Sequence, residues 1–163
     1  MSKPGAAAGV VRDADEGEAR WFYGGGVHLW KATAEETAGS FLLFEDRMDT
    51  GKVTPLHTHP SDETIVVLSG EIVMHLDGSD DRVGAGGMAL APRGVPHAFL
   101  VTADETRLLC LHTPGICEAF YRGASVALNE VADADRTVDF ERVMRSAKDN
   151  GGIEIVGPPP FAS

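Results

Sequence analysis

The stretch HTHPSDE, residues 57–63, places two imidazoles and a carboxylate close together. Alternate side chains of a strand share a face, so His57 and His59 are expected to point the same way. Glu63 has the same parity, but Pro60 interrupts the strand before it, so parity alone does not fix the direction of its side chain. Imidazole and carboxylate both bind first-row divalent metals. The stretch is therefore either half of a metal site or a polar loop that contains two histidines.

A third histidine, His97, follows the turn sequence PRGVP and begins the apolar run AFLV. We expect the turn to direct His97 back toward the first pair. Three histidines that reach a barrel interior from two strand pairs, with one carboxylate beside them, form a cage suited to a transition metal. The elements that position these residues therefore decide whether the site exists.

Short apolar runs separated by glycine, proline or Asp-Gly turns fill the middle of the chain, and they predict an antiparallel sandwich or barrel. The predicted strands lie in the segments GSFLLFEDRMDTG, TIVVLSG, EIVMHLDG, GGMALAPRGVPHAFLVT and TRLLCLHTPG. These segments carry all four metal-ligand candidates or flank them.

The end of the chain has a different pattern. Phe140, Val143, Met144 and Ala147 recur at helical spacing, which predicts an amphipathic helix on the outside of the β-body, ending at Asn150. The final segment IEIVGPPPFA is predicted to be extended, because three prolines cannot continue a helix. We therefore divide the chain into a flexible arm (1–20), a barrel (21–128) and a helix with an extended tail packed on the barrel (129–163).

Composition limits the classes of partner. The chain has 163 residues and a formal net charge of -11, so one acidic domain is expected, with no nucleic-acid or membrane partner. No apolar run approaches the length of a membrane span, and the first residues lack the apolar core of a signal peptide. Cys110 and Cys117 fit no metal or redox motif. We therefore predict that both thiols are free and buried or half-buried, in a protein of the reducing cytoplasm.

Two segments together resemble the signatures of the cupin family. GKVTPLHTHPSDETIVVLSG is similar to the first signature, and GGMALAPRGVPHAFL is similar to the second. The positions that match the two signatures are Gly51, His57, His59, Glu63, Gly70, Gly86, Pro92, Gly94 and His97. One departure is Val101, where the family often has an asparagine that is not a ligand.

The resemblance implies an all-β double-stranded β-helix barrel over roughly Trp21 to Thr113, with the amphipathic helix outside it. It also implies one divalent transition metal (Fe, Mn, Ni, Co, Cu or Zn), whose ligands would be His57, His59, Glu63 and His97. Such a set leaves coordination positions open, as catalysis requires. The alternative is a metal-free cupin that keeps only the barrel.

The whole layout resembles small single-domain bacterial cupins akin to quercetin (flavonol) dioxygenase, through RWFYGGGVHLW, GSFLLFEDRMDTG, TPGICEAFYRGA and GPPPF. This resemblance implies a homodimeric dioxygenase acting on a flavonol-like or enolic small molecule, with Glu63 as the catalytic base. Two alternatives stay open. One is an isomerase, cyclase or lyase that uses the metal as a Lewis acid. The other is a cupin that binds a small molecule without catalysis.

Three histidines are left without a role. His75 has the opposite parity to Ile72 and Met74 and is expected to face outward. His112 could lie at the barrel mouth, and His28 at an entrance or a dimer seam, where either could contact a metal ligand or the substrate. Candidates for the pocket walls are Met48, Ile65, Val67, Leu90, Phe99 and Leu111, of which at least half are expected to be plain barrel core instead.

Overall fold

The computed structural model describes residues 8–162. Within them the chain forms two α-helices, α1 (Glu118–Gly123) and α2 (Phe140–Asn150), and twelve strands. The strands are β1 (Glu18–Phe22), β2 (Val27–Ala32), β3 (Leu42–Met48), β4 (Leu56–Thr58), β5 (Asp62–Ser69), β6 (Glu71–Leu76), β7 (Ser79–Gly84), β8 (Met88–Ala91), β9 (His97–Val101), β10 (Thr106–Thr113), β11 (Ser125–Ala127) and β12 (Glu154–Gly157). The predicted all-β fold with a C-terminal helix is confirmed.

The strands form two antiparallel sheets that face each other. The larger sheet has the order β11-β1-β2-β3-β10-β5-β8, and the smaller has the order β12-β4-β9-β6-β7. Several neighbours are distant in sequence: β10 lies between β3 and β5, and β4 pairs with β9. Because of this order, the two histidine-bearing segments meet inside the sandwich.

Inward-facing and outward-facing side chains alternate along the strands, and the inward-facing ones fill the interior between the sheets. In β10 the even-numbered residues are buried and the odd-numbered residues face outward, from Thr106 to His112. In β6 the buried residues are Ile72 and Met74, so His75 faces away from the core as predicted, and its Nδ1 lies 2.6 Å from Asp80 Oδ1. The core is therefore the shared inner surface of the two sheets.

The predicted C-terminal helix is confirmed as α2, but its buried face differs from the prediction. Met144 is 57% exposed, whereas Val143 and Ser146 are buried. The Ser146 hydroxyl donates to the Phe120 carbonyl of α1 at 2.7 Å, so a polar contact holds the helix where a second apolar residue was expected. Gly151, with φ of 64°, ends the helix.

The described segments near both ends of the chain contact the body. Residues 1–7 of the predicted arm lie outside the described residues, while Arg12 donates to the Glu36 carboxylate at 3.0 Å. Strand β1 begins at Glu18, before the predicted barrel boundary, and β12 pairs with β4, so the tail adds an edge strand to the smaller sheet. The three-part division of the chain stays a prediction.

The helices and the cysteines agree with two further features of the sequence. Among residues 8–162, none of the helices has the length and apolar character needed to cross a bilayer. Cys110 and Cys117 are free and buried, as the sequence predicted.

The glycine that ends β5 offers a test of the fold. A Cβ on Gly70 (φ 80°) would lie 2.1 Å from Thr106 Oγ1 and 2.7 Å from Thr106 Cα, so Gly70→Ala should lower the free energy of unfolding by about 2–4 kcal/mol. Gly78 has φ of 78° but nothing within 4 Å of an added Cβ, so Gly78→Ala should cost only about 1 kcal/mol. Urea denaturation measures both values, and equal losses would contradict the steric argument.

Candidate metal centre

The four ligand candidates come from both sheets and meet in the interior. His57 on β4 lies directly opposite His97 on β9, and their ring centroids are 4.4 Å apart. His59 lies in the break between β4 and β5, and Glu63 is the second residue of β5. All four are buried, and one ligand atom from each lies within 4.8 Å of the others.

The turn before His97 is fastened to the break that holds His59. The Gly94 amide donates to the His59 carbonyl at 2.8 Å. The Arg93 amide and guanidinium both donate to the Asp62 carboxylate, at 2.9 and 3.1 Å. The turn predicted from PRGVP therefore brings the two signature segments together.

Each of the three imidazoles is fixed by a backbone carbonyl. The Nδ1 atoms of His57, His59 and His97 lie 2.7 Å from Pro55 O, 3.1 Å from Gly152 O and 2.9 Å from Val95 O, respectively. A carbonyl only accepts, so each Nδ1 carries a proton and each Nε2 is the atom left to hold a metal ion or a second proton. This is the arrangement that outer contacts impose on metal-binding histidines.

The inward atoms fit a cation. The buried Nε2 atoms of His59 and His97 have no hydrogen-bond partner among residues 8–162. Glu63 Oε2 lies 2.9 Å from His59 Nε2, although without hydrogen-bond geometry, and 3.7 Å from His97 Nε2. Unsatisfied buried nitrogens around a carboxylate are costly unless a cation binds among them. The residues present therefore suit a divalent metal held by three imidazoles and one carboxylate.

The electrostatics also favour positive charge beside Glu63. Burial opposes its ionisation, yet His112 and His59 hold the pKa of Glu63 well below its usual range. Burial lowers the pKa of His57 to about 3, so that ring is neutral and its lone pair is available. Against the effect of burial, Glu63 raises the pKa of His59 to about 10. The cluster thus attracts one positive charge, which a proton or a metal cation can supply.

A fourth histidine, His112, lies beside Glu63; it was predicted only as a contact at the barrel mouth, not as a neighbour of this carboxylate. It is fully buried rather than at the barrel mouth, with Nε2 at 3.3 Å from Glu63 Oε2 and 2.9 Å from the Tyr121 hydroxyl. Its Nδ1 shares a hydrogen bond with Ser61 Oγ at 2.9 Å. The alternation of β10 contained the signal, because His112 has the parity of the buried Leu108 and Cys110.

A cavity of about 50 Å³ opens beside the cluster and extends toward α2. At about 10–15 Å³ for each water, it has room for roughly four waters. Its walls are mostly apolar, and the residues that line it include Phe22, Phe44, Val53, Pro55, Phe99, Phe120, Tyr121, Phe140, Val143 and Ile153. His57 and Glu63 also line the cavity, so the ligand cluster faces this space.

Met48, Ile65 and Val67 are buried in the core and do not line the cavity, which confirms that half of the pocket-wall candidates are plain core. Phe99 lines the cavity as predicted, Leu111 does not, and Leu90 is 46% exposed because it lies on the outer face of the edge strand β8. His28 is buried and lines the cavity, with its ring between Phe22 at 4.5 Å and Phe44 at 4.4 Å. Lys52 lines the same cavity, and the sequence did not predict its burial. The lysine is buried because the β1–β2 turn, which carries the Gly25 carbonyl, folds over it.

Comparisons with known proteins agree with this geometry. Residues 44–113 match the model of the cupin domain family. Quercetin 2,3-dioxygenase of Bacillus subtilis is 33% identical over 95 residues, which cover 58% of this chain and 28% of that enzyme. The chain therefore spans little more than a quarter of the enzyme's length.

Solved structures support the fold alone. An RmlC-like cupin from Shewanella frigidimarina aligns with a TM-score of 0.58 at 18% identity, covering 66% of this chain and 92% of its own. A predicted oxalate decarboxylase from Thermotoga maritima aligns with a TM-score of 0.57 at 23% identity, covering 64% and 98%.

Metal titration tests the centre. Chelator-treated protein should bind one Co²⁺ or Zn²⁺ per chain, and His97→Ala should weaken that binding by more than about 100-fold, since losing even an outer partner typically costs 10–100-fold. His75→Ala is the matched control, because it removes an imidazole that faces away from the core. Isothermal calorimetry measures all three affinities. If His97→Ala bound the ion as tightly as the wild type, His97 would not be a ligand.

Proposed function

Because residues 44–113 form a cupin domain, we propose that this protein is a metal-dependent enzyme whose ligands are His57, His59, Glu63 and His97. The observation that carries the proposal is the set of three backbone-fixed imidazoles with their Nε2 atoms turned toward one buried carboxylate. The proposed reaction is dioxygenation of an enolic small molecule. The identity with a curated quercetin dioxygenase supports this class of reaction.

The proposed chemistry divides between the ion and the chain. A bound transition metal supplies Lewis acidity toward a substrate oxygen and a redox partner for dioxygen. Glu63 stays a carboxylate, so it can accept the hydroxyl proton of an enol as well as bind the ion. Its neighbour His112 is hydrogen-bonded to Tyr121 and lies 3.3 Å from the same Glu63 oxygen, Oε2, that faces His59 and His97. The aromatic walls exclude water from the reacting group.

The size of the cavity narrows the substrate class. A flavonol has several rings, whereas the cavity beside the cluster is about 50 Å³ and a cavity that takes a single benzene ring is about 150 Å³. The geometry therefore favours a small enol, or the enolic edge of a larger molecule whose remainder lies outside. Phe140 and Val143 of α2 form part of the wall, so a whole flavonol requires α2 to move.

Two other functions use the same residues. A metal-dependent isomerase, cyclase or lyase would need the Lewis acid and the Glu63 base but no dioxygen. A non-catalytic binding protein would need only the cavity and the ion. The 28% coverage of the dioxygenase relative leaves these alternatives open.

The proposed partners are a small-molecule substrate and a second copy of the chain, with no nucleic acid and no membrane. The net charge of -11 disfavours polyanions. Edge strand β8 pairs only with β5 among the described strands and exposes Met88 and Leu90, which supports a homodimer through this edge. Light scattering at the mass of one chain would contradict the dimer. The cytoplasmic location stays a prediction.

Oxygen uptake tests the reaction. Protein loaded separately with each candidate metal should consume dioxygen with at least one member of a panel of small enols and flavonols. Glu63→Gln should then slow turnover by about 10²–10⁴-fold, because the amide cannot accept the proton. His75→Gln, on the outer face, should leave the rate unchanged.

The same assay separates the alternatives. Turnover that continues without dioxygen would contradict the oxygenase and favour an isomerase or lyase. Undiminished turnover by Glu63→Gln would remove Glu63 from the role of base. Binding of a panel member without turnover under any metal would leave the non-catalytic function.

A further inference from the structure

A second polar cluster lines the same cavity on the side away from the metal ligands. It consists of Lys52, Asp46 and His28, here named the lysine cluster. Lys52 Nζ lies 4.0 Å from Asp46 Oδ2, and His28 Nε2 lies 3.6 Å from the same oxygen. The three side chains are nearly inaccessible, with 6%, 4% and 2% of their surface exposed. Nothing in the proposed chemistry of Glu63 uses them.

The lysine cluster is incompletely paired. Lys52 Nζ donates to the Gly25 carbonyl at 2.5 Å, which leaves further N–H donors on the ammonium group. Asp46 Oδ1 and His28 Nδ1 have no hydrogen-bond partner among residues 8–162. A buried polar atom without a partner costs about 1–3 kcal/mol. Free donors and acceptors that border a cavity point to a ligand that satisfies them.

The rest of the setting is apolar. The ammonium group lies 5.1 Å from the centroid of the Phe22 ring and 5.8 Å from that of Phe99. Burial lowers the pKa of Lys52, although the nearby Asp46 opposes this. Hydrogen bonds made in such a place are stronger than hydrogen bonds at the surface.

The strand ladder fixes the separation of the two clusters. Glu63 pairs with His112, and His112 pairs with Leu42 at the start of β3. Asp46 lies four residues further along β3, roughly 13 Å along the strand at about 3.3 Å per residue, and two strand spacings of about 4.8 Å across the sheet from Glu63. Both carboxylates point inward, and the pKa of Cys110, on the strand between them, is raised by burial and then by Glu63 and Asp46. Because Glu63, Asp46 and Lys52 line the same cavity, one elongated molecule can contact both clusters.

The charges decide which group the lysine cluster accepts. One ammonium and one carboxylate nearly cancel, so an incoming carboxylate would gain Lys52 but face Asp46 at close range. A carboxylate also has no proton to give to Asp46 Oδ1. A neutral hydroxyl accepts from Lys52 and donates to Asp46 at once. An apolar group would leave both without partners.

We propose that the lysine cluster is a binding site for a neutral hydroxyl group. Resting on the proposed function, this makes the substrate a molecule with two oxygen groups, an enolic oxygen toward His57 and Glu63 and a separate hydroxyl toward Lys52 and Asp46. The cluster selects hydroxylated molecules over carboxylic acids and over hydrocarbons.

Three probes of similar shape test this selection. Phenol, benzoate and toluene are titrated into chelator-treated protein by calorimetry, with amide chemical shifts of Gly25 and Val53 as a second readout. Phenol should bind about 10-fold or more tightly than either of the others, the effect of one charge-assisted hydrogen bond. Tighter binding of benzoate, or equal binding of phenol and toluene, would overturn the proposal without any variant.

Two variants assign the preference to the cluster. Lys52→Met should reduce phenol binding by about 10-fold. The double variant Lys52→Met with Asp46→Leu removes both charges together, so no unpaired charge is buried, and it should bind toluene at least as well as phenol. Lys148→Met, on the exposed side of α2, is the matched control and should behave as the wild type.

Retained toluene binding shows that the variants are folded. A double variant that still prefers phenol 10-fold would place the hydroxyl elsewhere and overturn the proposal. Metal uptake is measured in a separate titration, so its failure would overturn the proposed function and leave the phenol result standing.

Discussion

The candidate centre depends on three hydrogen bonds between imidazole Nδ1 atoms and backbone carbonyls. They hold each ring in one tautomer and one orientation, and without them the three Nε2 atoms would not converge on Glu63. Two of the carbonyls, of Pro55 and Val95, precede the histidines they hold by two residues. The third belongs to Gly152, beyond α2, so the C-terminal segment is part of the centre. Its left-handed backbone (φ 80°) explains the glycine at that position.

The sheet order supplies the remaining constraint. The smaller sheet contributes His57 and His97 as opposite residues of one strand pair, and the larger sheet contributes Glu63 from the facing side. The space between them narrows where α1 and α2 cover it, through Phe120, Phe140 and Val143. One cavity therefore has a ligand cluster suited to a cation at one side and a nearly neutral pair of charges at the other. Such an arrangement orients an uncharged molecule with two oxygen groups.

Much of this could be predicted from the sequence, because the decisive signals are local. The strand runs, their turns, the outward His75 and the spacing of the two histidine segments are properties of short stretches. The burial of His112 could have been predicted, since strand parity places it with Leu108 and Cys110. Its contact with Glu63 could not, because that contact depends on the pairing of β10 with β5. Met144 failed as a core residue because Ser146 anchors α2 by a hydrogen bond that periodicity does not show.

The contacts of Lys52 and Gly152 could not be predicted, because each joins chain segments that are far apart in sequence. Lys52 follows a signature glycine and looks like a surface lysine until the β1–β2 turn brings the Gly25 carbonyl over it. The role of Gly152 needs the helix, the tail and β4 to be in place at once. Sequence periodicity describes single elements, whereas these contacts depend on how elements pack.

The most direct test is the X-ray absorption spectrum of the zinc-loaded protein. His59 belongs to two groups that could hold a metal, one with His57, Glu63 and His97, the other with His112 and Cys117. The account predicts only nitrogen and oxygen neighbours, at about 2.0–2.2 Å from the ion. A sulfur neighbour at about 2.3 Å would place the ion on Cys117 and contradict the account.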